Sequence, residues 1–148
     1  MFKHILVPTD GSEFSTLTVQ RAVSFAKEAG AEITAFFAKP DFSATGYYGE
    51  GAGTLAQAVE DDDARSEAYA RKILGHVEKL CCDAGVTCHT LTLTSALIYE
   101  GIINAADQCG CDLIFMASHG RSGIKALLLG SETHKVLTHS KIPVLVYR

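Results

Sequence analysis

The chain has 148 residues and a mass of 15.8 kDa, enough for one domain, residues 1–148, built on a single substantial core. Its 47% hydrophobic and 20% charged content is that of a soluble globular protein, and no apolar run nears the roughly 18 residues that would span a bilayer. A formal net charge of −4 with no Lys/Arg cluster argues against a surface that neutralises many phosphates, so neither a nucleic acid nor a membrane is an expected partner.

The segment Met1 to Val7 is too short for a signal peptide and leads straight into a strand pattern, which predicts a cytoplasmic location. Ile5, Leu6 and Val7 read as a buried strand ended by Pro8, Thr9, Asp10 and Gly11. Val19, Ala22, Val23 and Ala26 follow helical spacing, and Gly30 closes that helix. Ile33 to Ala38 is a second strand. Residues 39 to about 57, with four glycines and Tyr47 and Tyr48, read as a mobile loop. The acidic run Glu60 to Asp63 is expected to complement the positive end of the helix that follows. That helix carries Ile73, Val77, Leu80, Cys81 and Ala84 on one face, and Gly85 ends it.

Val86 to Leu93 is a third strand, Ile98 to Cys109 a third helix, and Asp112 to Ala117 a fourth strand. A helical region from Ile124 to about Ser140 should break at Gly130, with Ser131 capping its second half. Ile142 to Val146 is the last strand. Alternating strands and helices, with nearly continuous apolar strands, imply an α/β fold whose parallel sheet is covered by helices on both faces. Proline cannot donate to a ladder, so Pro143 places the last strand at an edge. An uncovered apolar edge is an aggregation hazard, and a twofold-related copy is its economical cover. The five cysteines lack any zinc-ribbon spacing and read as small buried hydrophobes.

Open α/β sheets bind ligands beyond the carboxyl ends of their strands, where the winding reverses. Two loops stand at such ends: Pro8 to Ser12 after the first strand, and Ala117 to Gly123 after the fourth. A doubly wound sheet of order 3-2-1-4-5 sets them side by side. The helix start after Gly130 offers unpaired N–H groups and the positive dipole end, which attract phosphate. Gly120 lets the backbone approach a phosphate closely, and the hydroxyls of Ser131 and Thr133 add donors. Asp10 reads equally as a turn residue and as an acceptor for a ribose hydroxyl or a base amine.

At these residues the chain resembles the universal stress protein family. The similarity runs from Lys3-His4-Ile5-Leu6-Val7-Pro8-Thr9-Asp10-Gly11-Ser12 to Ile142-Pro143-Val144-Leu145-Val146. Its most specific part is Met116-Ala117-Ser118-His119-Gly120, nine residues, then Gly130-Ser131. This is similar to the Gly-x2-Gly-x9-Gly-(Ser/Thr) signature of the family's ATP-binding branch. The resemblance implies a single-domain, five-stranded sheet of order 3-2-1-4-5, a role in stress survival and an adenine nucleotide (ATP, ADP or AMP) as ligand, with magnesium accompanying a triphosphate. It assigns Asp10, Ala38 and Met116 to the adenine and ribose. Gly120, Gly130, Ser131 and Thr133 would face the phosphates, and Pro8, Thr9, Ala117, His119 and Arg121 would line the cleft. It also implies a homodimer through Ile142, Val144, Leu145 and Val146, and a regulatory partner that the sequence does not name.

Two residues depart from an ideal seat. The first signature glycine is Ala117. At positive φ alanine would be strained by about 1–2 kcal/mol, but its strand position predicts extended backbone. Glu132 would repel a phosphate unless it turns outward. The alternative function is a dimeric interaction protein without nucleotide binding, which Ala117 favours and Gly120, Gly130 and Ser131 oppose.

Catalysis is not expected. Neither a Walker pattern nor a Gly-x-Ser-x-Gly elbow is present. His119 in a glycine-rich turn suits packing or capping better than general-base work. His134 and His139 are five apart, the wrong spacing to share one helix face. Slow ATP hydrolysis is the one enzymatic reading left open.

Overall fold

The computed structural model describes residues 1–41, 52–120 and 129–148. Five parallel strands form its sheet: β1 (His4–Pro8), β2 (Glu32–Pro40), β3 (Cys88–Ser95), β4 (Leu113–Ala117) and β5 (Val144–Tyr147), in the order β3-β2-β1-β4-β5. Four helices connect them: α1 (Glu13–Ala29), α2 (Ala52–Ala84), α3 (Ile98–Cys109) and α4 (Ser131–His139). The expected α/β class and strand order are both found.

Each strand divides the core by alternation. Ile5, Val7, Ile33, Ala35, Phe37, Leu113 and Phe115 point to one face, where Val19, Ala22, Val23 and Ala26 of α1 and Ala70, Leu74, Val77 and Cys81 of α2 cover them. Leu6, Phe36, Ile114 and Met116 point to the other, against Ile102, Ala105 and Ala106 of α3 and Val136 of α4. In β1–β2 pairing Ile5 stands opposite Ile33 and Pro8 opposite Phe36, so β2 runs on past the carboxyl end of β1 to Pro40.

Helix ends follow local chemistry. Ser12 caps α1, its Oγ accepting from Ser15 N at 3.2 Å, and Gly30 ends it in the left-handed region. α3 has no such cap from its own chain neighbours, Leu97 having no side-chain acceptor. Glu132 of α4 supplies one from a distance: its Oε2 accepts from the orphan amide of Tyr99 at 3.0 Å.

Several sequence expectations need correction. Lys39 and Pro40 continue β2, and α2 already runs from Ala52, so the expected 39–57 loop is shorter at both ends; residues 42–51 lie outside the described residues. Glu60 to Asp63 therefore lies inside α2, and does not flank its start. Tertiary pairing explains part of this acidity, because Asp63 meets Lys39 at 2.6 Å. A helix does start next to Gly130, but Gly130 itself is its N-cap, without a side-chain cap bond, and Ser131 is the first helical residue of α4. The expected helical half before Gly130 falls almost wholly among residues 121–128, outside the described residues. The third strand begins at Cys88, not Val86, and the last begins after Pro143, whose carbonyl accepts from Ile114 N at 3.0 Å. Of the cysteines only Cys81 and Cys111 are buried; Cys82 is exposed.

Among the described residues no helix is long and apolar enough to cross a membrane, and every buried polar side-chain atom has a hydrogen-bonding partner.

Candidate functional site

The winding of the sheet reverses between β1 and β4, whose neighbours on either side are reached by crossovers in opposite directions. A cleft of about 520 Å³ opens over the carboxyl ends of these strands, a volume suited to a small organic ligand. Pro8, Thr9 and Asp10 line it from β1, Ala38 from β2, and Met116, Ala117, His119 and Gly120 from β4 and its loop. Gly130, Ser131 and Thr133 close it from the start of α4. Those eleven residues are all the described members of the expected set. The twelfth, Arg121, lies outside the described residues.

The β1 side is held by a short hydrogen-bonded turn. Thr9 N donates to Phe36 O at 2.9 Å, extending the β1–β2 pairing one residue past the strand. Thr9 Oγ1 accepts from Ser15 Oγ at 2.8 Å. Asp10 Oδ1 accepts from Ser12 N at 2.9 Å, a turn that mimics a backbone hydrogen bond. The expected turn role of Asp10 is thus seen. Its other oxygen, Oδ2, lies toward Gly120, where an added Cβ would come within 2.8 Å of it.

The β4 side depends on a close backbone approach. Gly130 N donates to Ser118 O at 2.8 Å, which draws the start of α4 onto the end of β4. A Cβ on Gly130 would sit 2.9 Å from Ser118 O, so only glycine fits without a shift. Thr133, buried at this junction, donates its hydroxyl to Ala117 O at 2.9 Å. Its one proton is therefore committed to the backbone. Thr133 lines the cleft but fastens α4 to β4, and is not the open hydroxyl donor expected from sequence. His119 Nδ1 and Ser118 Oγ lie 2.8 Å apart, and the His119 ring packs 6.3 Å from that of Phe14.

Ser131, Glu132 and Thr133, the first turn of α4 with its orphan amides, line the cleft. No lysine or arginine stands among the described lining residues, so an anion there would meet mainly backbone N–H groups and the helix dipole. Glu132 is the obvious objection. Its two carboxylate oxygens are bound to Tyr99 N and, at 3.5 Å, to Lys135 Nζ, which turns the negative charge toward α3. Ala117 raises no strain: it lies in β4, and among the described residues no non-glycine residue has positive φ.

Sequence reasoning missed the apolar half of the cleft. Phe36 and Phe37 of β2, Tyr69 of α2 and Ile98 and Ile102 of α3 all line it. Their signal was present as strand and helix periodicity, but a residue on an apolar stripe reads as core. Tyr69 is the least visible, because the stripe through Ile73 and Val77 extends back one further turn to reach it.

No group of three His, Cys, Asp or Glu side chains among the described residues is arranged to hold a metal ion. His139, one of the two histidines considered from sequence, bonds Lys135 O through Nδ1 at 2.8 Å.

A doubly wound parallel sheet with a ligand-sized crevice at its switch point, one wall apolar and the other a helix N-terminus, defines an α/β binding fold. The chain belongs to the universal stress protein family, which it matches over residues 1–148. It is 33% identical over 150 residues to universal stress protein YxiE of Bacillus subtilis, covering 100% of both chains. Among solved structures it is similar to MJ0577 of Methanocaldococcus jannaschii, with a TM-score of 0.83, 25% identity, and coverage of 99% of this chain and 95% of that one. A universal stress protein solved in complex with cAMP gives a TM-score of 0.72 at 25% identity, covering 99% of this chain and 97% of that one.

Proposed function

We propose that residues 1–148 form one cytoplasmic adenine-nucleotide-binding domain, a regulatory stress-response module and not an enzyme. The observation that carries this reading is the convergence of all eleven described candidate residues on one cleft lined by both the α4 N-terminus and apolar side chains. Adenine fits the apolar part beside Ala38 and Met116. The phosphates face Gly120, Gly130 and Ser131, and Asp10 reaches the ribose or the base amine. The cAMP complex of a relative at 25% identity supports this class of ligand. Magnesium, where a triphosphate is bound, would arrive with the phosphates, since the described residues provide no metal cage.

The module acts as a homodimer. β5 pairs only with β4 among the described strands, and Ile142, Val144, Leu145 and Val146 are all half-exposed along that edge. A second copy would cover them.

The test is direct. The purified protein is denatured and filtered, and any released nucleotide is identified by absorbance and mass spectrometry. Thermal shifts are then recorded with millimolar ATP, AMP and cAMP. No released nucleotide together with no shift removes the nucleotide reading and leaves the interaction protein without a ligand. A monomer mass by sedimentation equilibrium removes the dimer independently.

A further inference from the structure

The turn that carries Asp10 is not rigid by composition. Gly11 follows it in the left-handed region, at φ +76°, and such a residue gives the chain freedom to swing. Beyond the turn's own hydrogen bonds, a further restraint reaches it from α2. Tyr69 Oη donates to the carbonyl of Asp10 at 3.1 Å. The same hydroxyl and Ile73 Cδ1 press on Gly11, where an added Cβ would meet them at 2.8 and 2.5 Å. The Tyr69 ring is set edge-on against Phe37, with centroids 5.8 Å apart at 73°.

α2 is in turn pinned at this height by Lys39. Alternation along β2 places Lys39 on the same face as Phe37, against α2, and its side chain is buried. Its ammonium contacts Asp63 and Glu67, the latter at 3.2 Å, one helical turn apart on the face that also presents Ala70. The Asp63 carboxylate holds the Lys39 ammonium above its ordinary range, against the opposing effect of burial and with help from Glu67.

From this chain of contacts we propose that Tyr69 is the positioning residue of the cleft: it fixes the turn that presents Asp10, and Lys39 sets Tyr69 through α2. The inference rests on the nucleotide reading of the cleft for its consequence, but not for its geometry. Tyr69 acts through the Asp10 carbonyl, so its effect on a ligand would run through the placement of the Asp10 side chain.

The experiment uses Tyr69→Phe, which keeps the ring against Phe37 and removes only the hydroxyl. Hydrogen exchange is measured at the amides of Gly11 and Ser12, which bond Thr9 Oγ1 and Asp10 Oδ1. Binding of AMP is measured by calorimetry for wild type, Tyr69→Phe, Asp10→Ala and the double variant. The variant is expected to exchange about fivefold faster at those two amides, without any ligand, and to bind AMP about fivefold more weakly. In the Asp10→Ala background the Tyr69→Phe loss should vanish, since there is no carboxylate left to position. Unchanged exchange, or losses that simply add, overturns the proposal. Wild type that binds neither AMP nor ATP removes the nucleotide reading instead, while faster exchange in Tyr69→Phe still assigns Tyr69 to the turn.

Discussion

Gly130→Ala isolates the feature on which the proposed phosphate seat depends most. The backbone there, φ −58° and ψ 147°, is open to any residue, so the substitution carries no conformational strain. Its main cost is one of space. The new methyl would lie 2.9 Å from Ser118 O and 3.4 Å from His119 Cα, both backbone atoms that cannot rotate away. Relief requires α4 to move off the end of β4, which stretches the 2.8 Å bond from residue 130 N to Ser118 O and the 2.9 Å bond from Thr133 to Ala117 O. Overpacking of this kind costs about 1–3 kcal/mol, and exchanging glycine for alanine at an N-cap adds up to about 1 kcal/mol. For a chain of this length each kcal/mol lowers Tm by roughly 2–4 °C, so a fall of about 2–16 °C is expected. AMP affinity, read by calorimetry, should fall with it, because the α4 amides retreat from the cleft. Gly75→Ala is the control: this exposed glycine lies within α2, has nothing within 4 Å of an added Cβ, and should gain about 0.5–1 kcal/mol. A Gly130→Ala protein that melts within a degree of wild type and binds AMP equally would refute the close-approach argument.

Gly120→Ala should separate binding from stability, because among the described residues its Cβ would meet only the movable Asp10 Oδ2, at 2.8 Å. Urea midpoints should stay near wild type while AMP affinity drops several-fold; equal affinity would place the ligand elsewhere. Asp112 offers a pH test. Burial alone would raise its carboxyl, but the amides of Lys3 and His4, at 2.8 and 3.1 Å, outweigh that effect and hold it below the ordinary carboxylate range. Its stabilisation is then complete above the unfolded-state pKa and lost as pH falls through the lower folded value. The stability gap between wild type and Asp112→Asn should close on acidification, and a gap constant from about pH 7 to about pH 2 would contradict the assignment. Thiol labelling should be ordered by structure: exposed Cys82 reacts in the native protein, whereas Cys111 waits for unfolding. Burial, with the neighbouring Cys109, Asp112 and Glu32, pushes the Cys111 thiol up to about 12. Rapid native modification of Cys111 would count against this packing.

The legible parts of the chain were those in which local pattern and tertiary role agree. β1 and β4 are apolar runs that the fold buries on both faces, and α1 ends at the glycine that marks its end in sequence. α2 was misread because its acidic run looks like a helix start, the position at which negative charge favours the dipole. Its actual partner, Lys39, lies one residue past the strand as read from sequence and is buried only because α2 covers it. Capping chemistry likewise favoured Ser131. Gly130 takes the cap because the approach to Ser118 O leaves no room for a side chain, a constraint between two segments that neither carries alone. Tyr69 shares the difficulty: only the assembled fold brings its hydroxyl to the turn after β1.

The two residues that weighed against a phosphate seat illustrate how charge and backbone are settled between elements. Ala117 stands where the signature has glycine, yet the glycine's special freedom is not needed there: β4 is still extended, and Ala117 pairs with Tyr147 of β5. Its methyl narrows the cleft without straining the chain. Glu132 stands inside the first turn of α4, where a free carboxylate would oppose an incoming anion. Leu97 stands at the N-cap of α3 but cannot cap it, and the amide of Tyr99 is left for Glu132 to satisfy. Deleting the carboxylate would therefore remove an unfavourable charge from the seat and also release the N-terminus of α3, which carries Ile98 and Ile102 into the apolar wall of the same cleft. Glu132→Gln keeps an acceptor for the Tyr99 amide and removes the charge together with the 3.5 Å contact to Lys135. It should leave the urea midpoint nearly unchanged and tighten AMP binding, whereas Glu132→Ala should lose stability by about 1 kcal/mol through the uncapped α3. Equal behaviour of the two variants would mean that Glu132 is neither cap nor charge in this site.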